Sequence, residues 1–119
     1  MLHSLRLFKA DIFRALGHPT RVAIVEYVRY GEIDETRLRE KVGVAPAEFE
    51  QHLAVLVRKH VVNVRKTAER VTCSLRDPAF GNVLEAMREY FLAHLNESLA
   101  QLRQERPESA GIGGPDEPV

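Results

Sequence analysis

The chain has 119 residues, 45% hydrophobic and 29% charged, and this length suits one domain rather than a large multidomain enzyme. Its 17 Lys and Arg balance 17 Asp and Glu, but three of those acids lie after Arg106, so residues 1–106 carry 17 bases against 14 acids and a net charge of +3. The one cysteine cannot form an intrachain disulfide, and no stretch approaches the roughly 20 apolar residues of a membrane span. These features predict a soluble, cytoplasmic protein with no membrane partner.

The first 30 residues predict two helices. Apolar residues recur at helical spacing from Leu2 to Leu16, which is typical of an amphipathic helix. Gly17 permits a left-handed cap after this helix, and the fixed φ of Pro19 suits the first turn of the next one. A second helix is therefore predicted from Pro19 to Tyr30.

The next segment has a helix–turn–helix pattern. Asp34 is a candidate N-cap for a short third helix that ends at Val42. Gly43 can adopt the left-handed conformation needed between helices, and Pro46 can begin a fourth helix. The apolar positions of that fourth helix are Phe49, Leu53, Leu56 and Val57. Two helices separated by about four residues, with Gly in the turn, form this motif.

After His60 the apolar period changes from about 3.6 to about 2, which predicts a β-hairpin over residues 61–66 and 70–75. A last helix is predicted from Asp77-Pro78 to about Arg106. Its apolar stripe is longer than one small domain can cover, so we expect part of it to pack against a second copy. Residues 107–119, rich in Gly and Pro, are predicted to be a disordered acidic tail after a domain of residues 1–106.

This order of elements is that of a winged helix–turn–helix, a mainly α fold with a small β-hairpin. Residues 13–21, with Ala-Leu-Gly-His-Pro-Thr-Arg, resemble the opening of the ArsR-type (ArsR/SmtB) bacterial repressors. Residues 38–44 and 51–56 resemble the helix–turn–helix of that family, and residues 64–71 resemble its basic wing. The resemblance, over about residues 5 to 105, implies a homodimer joined by the first and last helices. It also implies a repressor that binds a palindromic DNA operator.

The fourth helix of such a fold lies in the major groove, where its exposed N-terminal residues meet base edges. Here Gln51 can pair with adenine, whereas Glu48 and Glu50 either accept from cytosine or are solvated acids beside the helix N-terminus. Ala47 lies on the same exposed turn. His52 is predicted to be either a phosphate contact or a packed residue.

Phosphate affinity requires Lys and Arg. Between residues 58 and 70 there are five such residues and a single acid, which predicts contacts from Arg58, Lys59, Arg65, Lys66 and Arg70. His60 can add to this set, and Arg21 is a weaker candidate.

A site for an effector is not evident. The Cys-x-Cys positions of metal-sensing relatives hold Asp34 and Thr36. His94 and Glu97 preserve half of another family metal site, whose remaining positions hold Gly81 and Val83, so we predict no metal and no cofactor. Cys73 is a possible sensor if Arg65 or Lys66 across the hairpin lowers its pKa, and otherwise a small strand residue.

The surplus apolar side chains of the first and last helices predict a dimer interface that contains Leu5, Phe8, Ile12, Met87, Phe91, Leu95 and Leu99. The alternative to a DNA-binding regulator is a winged-helix module that uses its acidic fourth helix to bind protein. An enzyme is not expected. The one Gly-rich run, residues 111–114, precedes no helix and so cannot form a phosphate-binding turn.

Overall fold

The computed structural model describes residues 2–109, with side chains as far as Arg103. In this part of the chain the helices and strands follow the predicted order, with one additional short strand. They are α1 (Leu2–Leu16), α2 (Pro19–Val28), β1 (Ile33–Asp34), α3 (Glu35–Val42), α4 (Pro46–Arg58), β2 (Val62–Lys66), β3 (Val71–Leu75) and α5 (Pro78–Ser109).

The chain divides into two units, the first ending at Leu84 and the second beginning at Glu85 within α5. The first unit contains the hydrophobic core, because α2, α3, α4 and the sheet each bury their apolar residues there. Of the predicted apolar positions of α4, Phe49, Leu53 and Leu56 are buried, whereas Val57 is 37% exposed and does not belong to the core. The other large side chains that are fully buried in the described part of the chain are Ile24, Val25, Val28, Leu38, Val61, Val62 and Cys73.

The predicted left-handed cap at the end of α1 is wrong, because Gly17 does not adopt a positive φ. The start of α2 is capped by His18, for which no role was predicted. Its extended backbone precedes α2, and its Nδ1 accepts a hydrogen bond from the Thr20 N–H. Pro19 is the first residue of α2, as predicted, and the helix ends at Val28, two residues before the predicted end.

The helix–turn–helix has the predicted turn. Gly43 ends α3 in the left-handed conformation with φ 75°, and its N–H donates to the Arg39 carbonyl at 3.0 Å. Pro46 then begins α4. Asp34 occupies the predicted cap position of α3, but its side chain makes no capping hydrogen bond.

The end of α4 is a Schellman motif centred on His60. His60 has φ 61°, the Val61 N–H donates to the Leu56 carbonyl at 2.9 Å, and the His60 N–H donates to the Val57 carbonyl at 3.0 Å. Leu56 and Val61 are both fully buried, which supplies the apolar contact that accompanies this motif. The motif therefore fixes the direction in which the chain leaves α4 for the hairpin.

The hairpin of β2 and β3 is confirmed, and β1 adds a third antiparallel strand in the order β1-β3-β2. The register places Ile33, Cys73 and Val64 in one row across the sheet, and Asp34, Thr72 and Arg65 in the next row. Because successive residues of a strand point to opposite faces, the first row packs on the core and the second row does not.

Helix α5 begins at Pro78, where the Asp77 carboxylate accepts from the Ala79 N–H at 2.9 Å. The helix extends to Ser109, beyond the predicted end at about Arg106. Residues 110–119, most of the predicted tail, lie outside the described residues. Within the described range, no helix combines the length and the apolar character required to cross a membrane.

Candidate nucleic-acid interface

Helix α4 has one buried face and one exposed face. Phe49, Leu53 and Leu56 are buried in the core, whereas Ala47 and Gln51 on the first two turns are exposed. This arrangement follows from the apolar spacing of three and four along the helix. The side chain of Gln51 makes no hydrogen bond to any other described residue, so both its amide donor and its carbonyl acceptor are available.

Both glutamates of this exposed face have partners on neighbouring helices. Glu48 Oε2 accepts from the Thr20 hydroxyl of α2 at 3.4 Å. Glu50 lies 3.7 Å from the Arg39 guanidinium of α3. Burial, and then a hydrogen bond with Glu50, raise the pKa of the Glu35 carboxyl. Among these contacts, the Arg39 guanidinium partly compensates the negative charge of Glu50.

His52 is a packed residue, the second of its two predicted roles. Its side chain is 8% exposed and its ring stacks on that of His18, with centroids 4.0 Å apart. Its Nδ1 lies 3.1 Å from Arg21 Nη1. His52 therefore lacks the exposed surface that a DNA contact requires. Arg21 is also engaged within the protein, because its other nitrogens donate to the Ala15 and Arg14 carbonyls.

The hairpin formed by β2, the turn and β3, residues 62–75, is referred to below as the wing. At its tip the Thr67 hydroxyl oxygen accepts from the Glu69 and Arg70 N–H groups, and the Thr67 N–H donates to the Arg70 carbonyl at 2.9 Å. These bonds fix the turn, and Arg65, Lys66 and Arg70 are exposed beside it.

Several of the predicted phosphate contacts already have acidic partners. Arg65 Nη2 lies 2.8 Å from Glu32 Oε2, and Arg70 Nε lies 3.9 Å from Asp34 Oδ1. Immediately after α4, Lys59 Nζ lies 3.0 Å from Asp11 of α1. Arg58, the last residue of α4, is exposed and has no ion pair among the described residues. Exposed pairs of this kind are weak, so they reduce but do not remove the ability of these cations to bind phosphate.

Cys73 does not have the environment predicted for a sensor. It is fully buried, and its neighbours across the sheet are Val64 and Ile33, because Arg65 pairs with Thr72. Burial, with smaller effects from Glu35 and Glu50, raises the pKa of the thiol to about 12. The prediction that Arg65 or Lys66 lowers this pKa is therefore wrong.

The half-site at His94 has a local role in α5. His94 Nδ1 lies 2.9 Å from the Tyr90 carbonyl, and the two rings are 4.2 Å apart. Among the side chains that the structure describes, no three His, Cys, Asp or Glu residues are grouped so that they could hold a metal ion. The absence of bound metal stays a prediction.

A helix–turn–helix with an exposed second helix, followed by a small antiparallel hairpin with exposed arginines, defines the winged helix–turn–helix class. The chain is 30% identical over 100 residues, 82% of this chain and 87% of the relative, to the HTH-type transcriptional regulator Rv0081 of Mycobacterium tuberculosis. The chain belongs to the family of HTH-type transcriptional regulators.

The structural comparisons agree with this fold. The crystal structure of Rv0081 has a TM-score of 0.69 and 27% identity, and the match covers 80% of this chain and 96% of that one. A homodimeric winged helix–turn–helix domain of Mb0332 from Mycobacterium bovis, described as a possible ArsR-family regulator, has a TM-score of 0.62. Its identity is 16%, with 87% of each chain covered, so this likeness concerns the fold alone.

A second sequence relative is a probable mercury resistance operon repressor from Streptomyces lividans, 28% identical over 79 residues. The match covers 66% of this chain and 63% of that repressor, less than two thirds of its length. The chain matches no protein-family model.

Sequence reasoning missed strand β1, the stacked histidines and the acidic partners of the wing arginines. Strand β1 had one local signal, because Glu32-Ile33-Asp34 alternates polar and apolar residues between Gly31 and a helix. The other two features join residues more than 30 positions apart, and no sequence pattern signals them.

Proposed function

We propose that this chain is an ArsR-type homodimeric transcriptional repressor that binds a palindromic DNA operator, the function that the motifs in residues 13–21, 38–44, 51–56 and 64–71 imply. The observation that carries the proposal is the exposed N-terminal half of α4 beside a wing that presents three cations. The repressor name of the Streptomyces relative supports repression. Such an operator lies in the bacterial cytoplasm, where we expect the protein to act.

In this proposal α4 is the recognition helix. Gln51 reads a base edge, because it is exposed and both its hydrogen-bonding groups are free, and an amide pairs with adenine at two positions. Ala47 borders the same groove. Glu48 and Glu50 mainly contact Thr20 and Arg39, respectively. We therefore expect them to contribute less than Gln51 to base recognition.

Phosphate contacts come from the wing and from the end of the recognition helix. The wing contacts phosphates along one strand of the duplex through Arg65, Lys66 and Arg70. Arg58 contacts a further phosphate from the C-terminal end of α4. Lys59 contributes less, because its ammonium group is close to Asp11. Each cation that neutralises a phosphate releases counterions from the DNA. We therefore expect the DNA affinity to fall steeply as the salt concentration rises.

The homodimer is supported by apolar side chains that a single chain leaves exposed. On α1, Leu5 and Phe8 are 46% and 63% exposed, and on α5, Met87 and Phe91 are 62% and 58% exposed. Leu99 is also exposed, whereas Ile12 and Leu95 are partly buried, and Ile12 packs against the protomer's own core. To read both halves of a palindromic operator, the two recognition helices of such a dimer must lie about 34 Å apart, one turn of the duplex.

The test is binding to the DNA immediately upstream of the protein's own gene, compared with random DNA of equal length, over a series of salt concentrations. Tighter binding to the upstream DNA, with an affinity that falls steeply with salt, supports the proposal. The absence of DNA binding at every salt concentration contradicts it and favours the protein-binding alternative.

A further inference from the structure

The motif His18-Pro19-Thr20-Arg21 has no place in the proposed DNA contacts, yet three of its residues contact polar side chains of α4. The rings of His18 and His52 stack with centroids 4.0 Å apart and planes 28° apart. His18 immediately precedes α2, and His52 lies in the middle of α4, one position after Gln51. The ring pair therefore joins the beginning of one helix to the helix that carries the proposed base contact.

The hydrogen bonds fix the protonation state of both rings. His18 Nδ1 lies 3.1 Å from the Thr20 backbone nitrogen, and an N–H group can only donate. His52 Nδ1 lies 3.1 Å from Arg21 Nη1, and a guanidinium likewise has no acceptor. Each Nδ1 must therefore offer a lone pair, so both imidazoles are neutral and carry their proton on Nε2.

Arg21 extends this connection to α1. Its Nε donates to the Ala15 carbonyl at 2.7 Å, and its Nη2 donates to the Arg14 carbonyl at 3.3 Å. One guanidinium thus holds the last turn of α1 and the His52 ring of α4 together. A proton on His52 would replace the attraction to Arg21 with repulsion and would also face the neighbouring His18 ring.

We propose that His18 and His52 are positioning residues for operator recognition, which orient α4 only while both rings are neutral. Protonation of either ring breaks one of the two hydrogen bonds and displaces Gln51 from its base edge. This inference rests on the proposed function, because it describes how the recognition helix of that function is held.

The charged groups around the ring pair favour its neutral form. Arg21 faces His52 from α2, Glu48 faces it from α4, and α1 contributes the two carbonyls bound by Arg21. Burial first, then His18 and Arg21, lower the pKa of His52 below its ordinary value of 6.5, against a smaller opposite effect of Glu48. The lowered pKa favours the neutral form of His52, so acidification is required to protonate this ring.

Asparagine at both positions gives a matched test, because its Oδ1 can accept the same hydrogen bonds but does not titrate in this range. Asn is also a good N-cap residue, so His18→Asn keeps the cap of α2. The double variant His18→Asn/His52→Asn and the wild type are compared by fluorescence anisotropy on upstream and random DNA, from about pH 7.5 to about pH 5. His3→Asn is the control, because it removes an exposed histidine of α1 that lies outside the proposed DNA contacts.

The wild type is expected to lose about tenfold in affinity for upstream DNA over this range while its affinity for random DNA does not fall, because added protons strengthen non-specific attraction. The double variant should stay within about threefold of its own affinity at the higher pH. His3→Asn should follow the wild type. A double variant with the wild-type pH profile, or a wild type with no loss, would overturn the proposal.

A failure of the proposed function would be recognised separately, because no protein would then bind DNA even at the higher pH. Amide NMR spectra of the three proteins, recorded without DNA over the same pH range, test whether the two histidines position α4. In the wild type the resonances of α4 are expected to shift together as the pH falls, and in the double variant they are expected to stay in place. If the α4 resonances shifted equally in the wild type and the double variant, or in neither, the positioning role would be overturned.

Discussion

Arg65 Nη2 and Glu32 Oε2 lie 2.8 Å apart on the exposed side of the wing sheet, and the Thr72 hydroxyl donates to the same Glu32 oxygen at 2.9 Å. The Thr72 hydrogen bond, and then the positive charge of Arg65, hold the pKa of Glu32 below its usual value. The carboxylate is therefore ionised at neutral pH, and a DNA phosphate must compete with it for the guanidinium.

Glu32→Gln is expected to strengthen binding to operator and random DNA alike, because Arg65 loses a competing anion while the amide oxygen still accepts from Thr72. In an Arg65→Ala background the same change should have a much smaller effect. Anisotropy titrations of the four proteins in this double-mutant cycle measure the coupling. Glu69→Gln is the control, since it removes the same charge from the wing turn, and equal coupling of both glutamates to Arg65 would contradict the prediction.

Arg65→Ala and Arg70→Ala are expected to weaken binding to all DNA sequences by a similar factor. Each should also reduce the slope of log affinity against log salt by about one unit, because one fewer phosphate is neutralised. Titrations at several salt concentrations provide the measurement. Arg76→Ala, at the opposite end of β3 from the wing turn, serves as the control of equal charge.

Gln51→Ala should instead relax sequence preference, with a loss of roughly 1–3 kcal/mol on the preferred site and little change on random DNA. The physical reason is that a base contact, unlike a phosphate contact, distinguishes sequences. Competition between operator and single-base variants of it gives the measurement. Equal losses on all sequences would show that Gln51 does not read a base.

Phe8→Glu and Phe91→Glu are each expected to convert a dimer into monomers, because a buried, unpaired carboxylate is strongly unfavourable in an apolar interface. Analytical ultracentrifugation at micromolar concentration measures the mass. Tyr30→Glu is the control, since Tyr30 is 82% exposed and lies outside the predicted interface. A monomeric wild type, or a dimer in all three variants, would exclude the proposed interface.

Cys73 is expected to react with a thiol reagent far more slowly in the native protein than in the unfolded one. With its pKa raised from 9.0 to about 12, the native thiolate population at a given neutral pH falls by about a thousandfold. Because the unfolded state loses this proton first, the free energy of unfolding should also decrease as the pH rises above about 9. Rapid native modification would restore Cys73 as a sensor candidate.

The local structure of this protein follows largely from its sequence. The apolar spacing in residues 2–16 and 46–58 defines the helices, because a helix in a small domain must bury one face. Gly43 and Pro46 define the turn of the helix–turn–helix, since their backbone preferences act within a few residues. The change to a period of 2 after His60 defines the wing in the same way.

The tertiary structure alone determined how deeply the individual site residues are buried and which residues they contact. Cys73 faces Val64 and Ile33 rather than Arg65, because strand register determines which residues share a row. His52 is packed against His18, and Arg65 is paired with Glu32, because the fold brings together residues more than 30 positions apart. A sequence pattern records the periodicity of one element, whereas the burial and charge of a side chain depend on the other elements that pack against it.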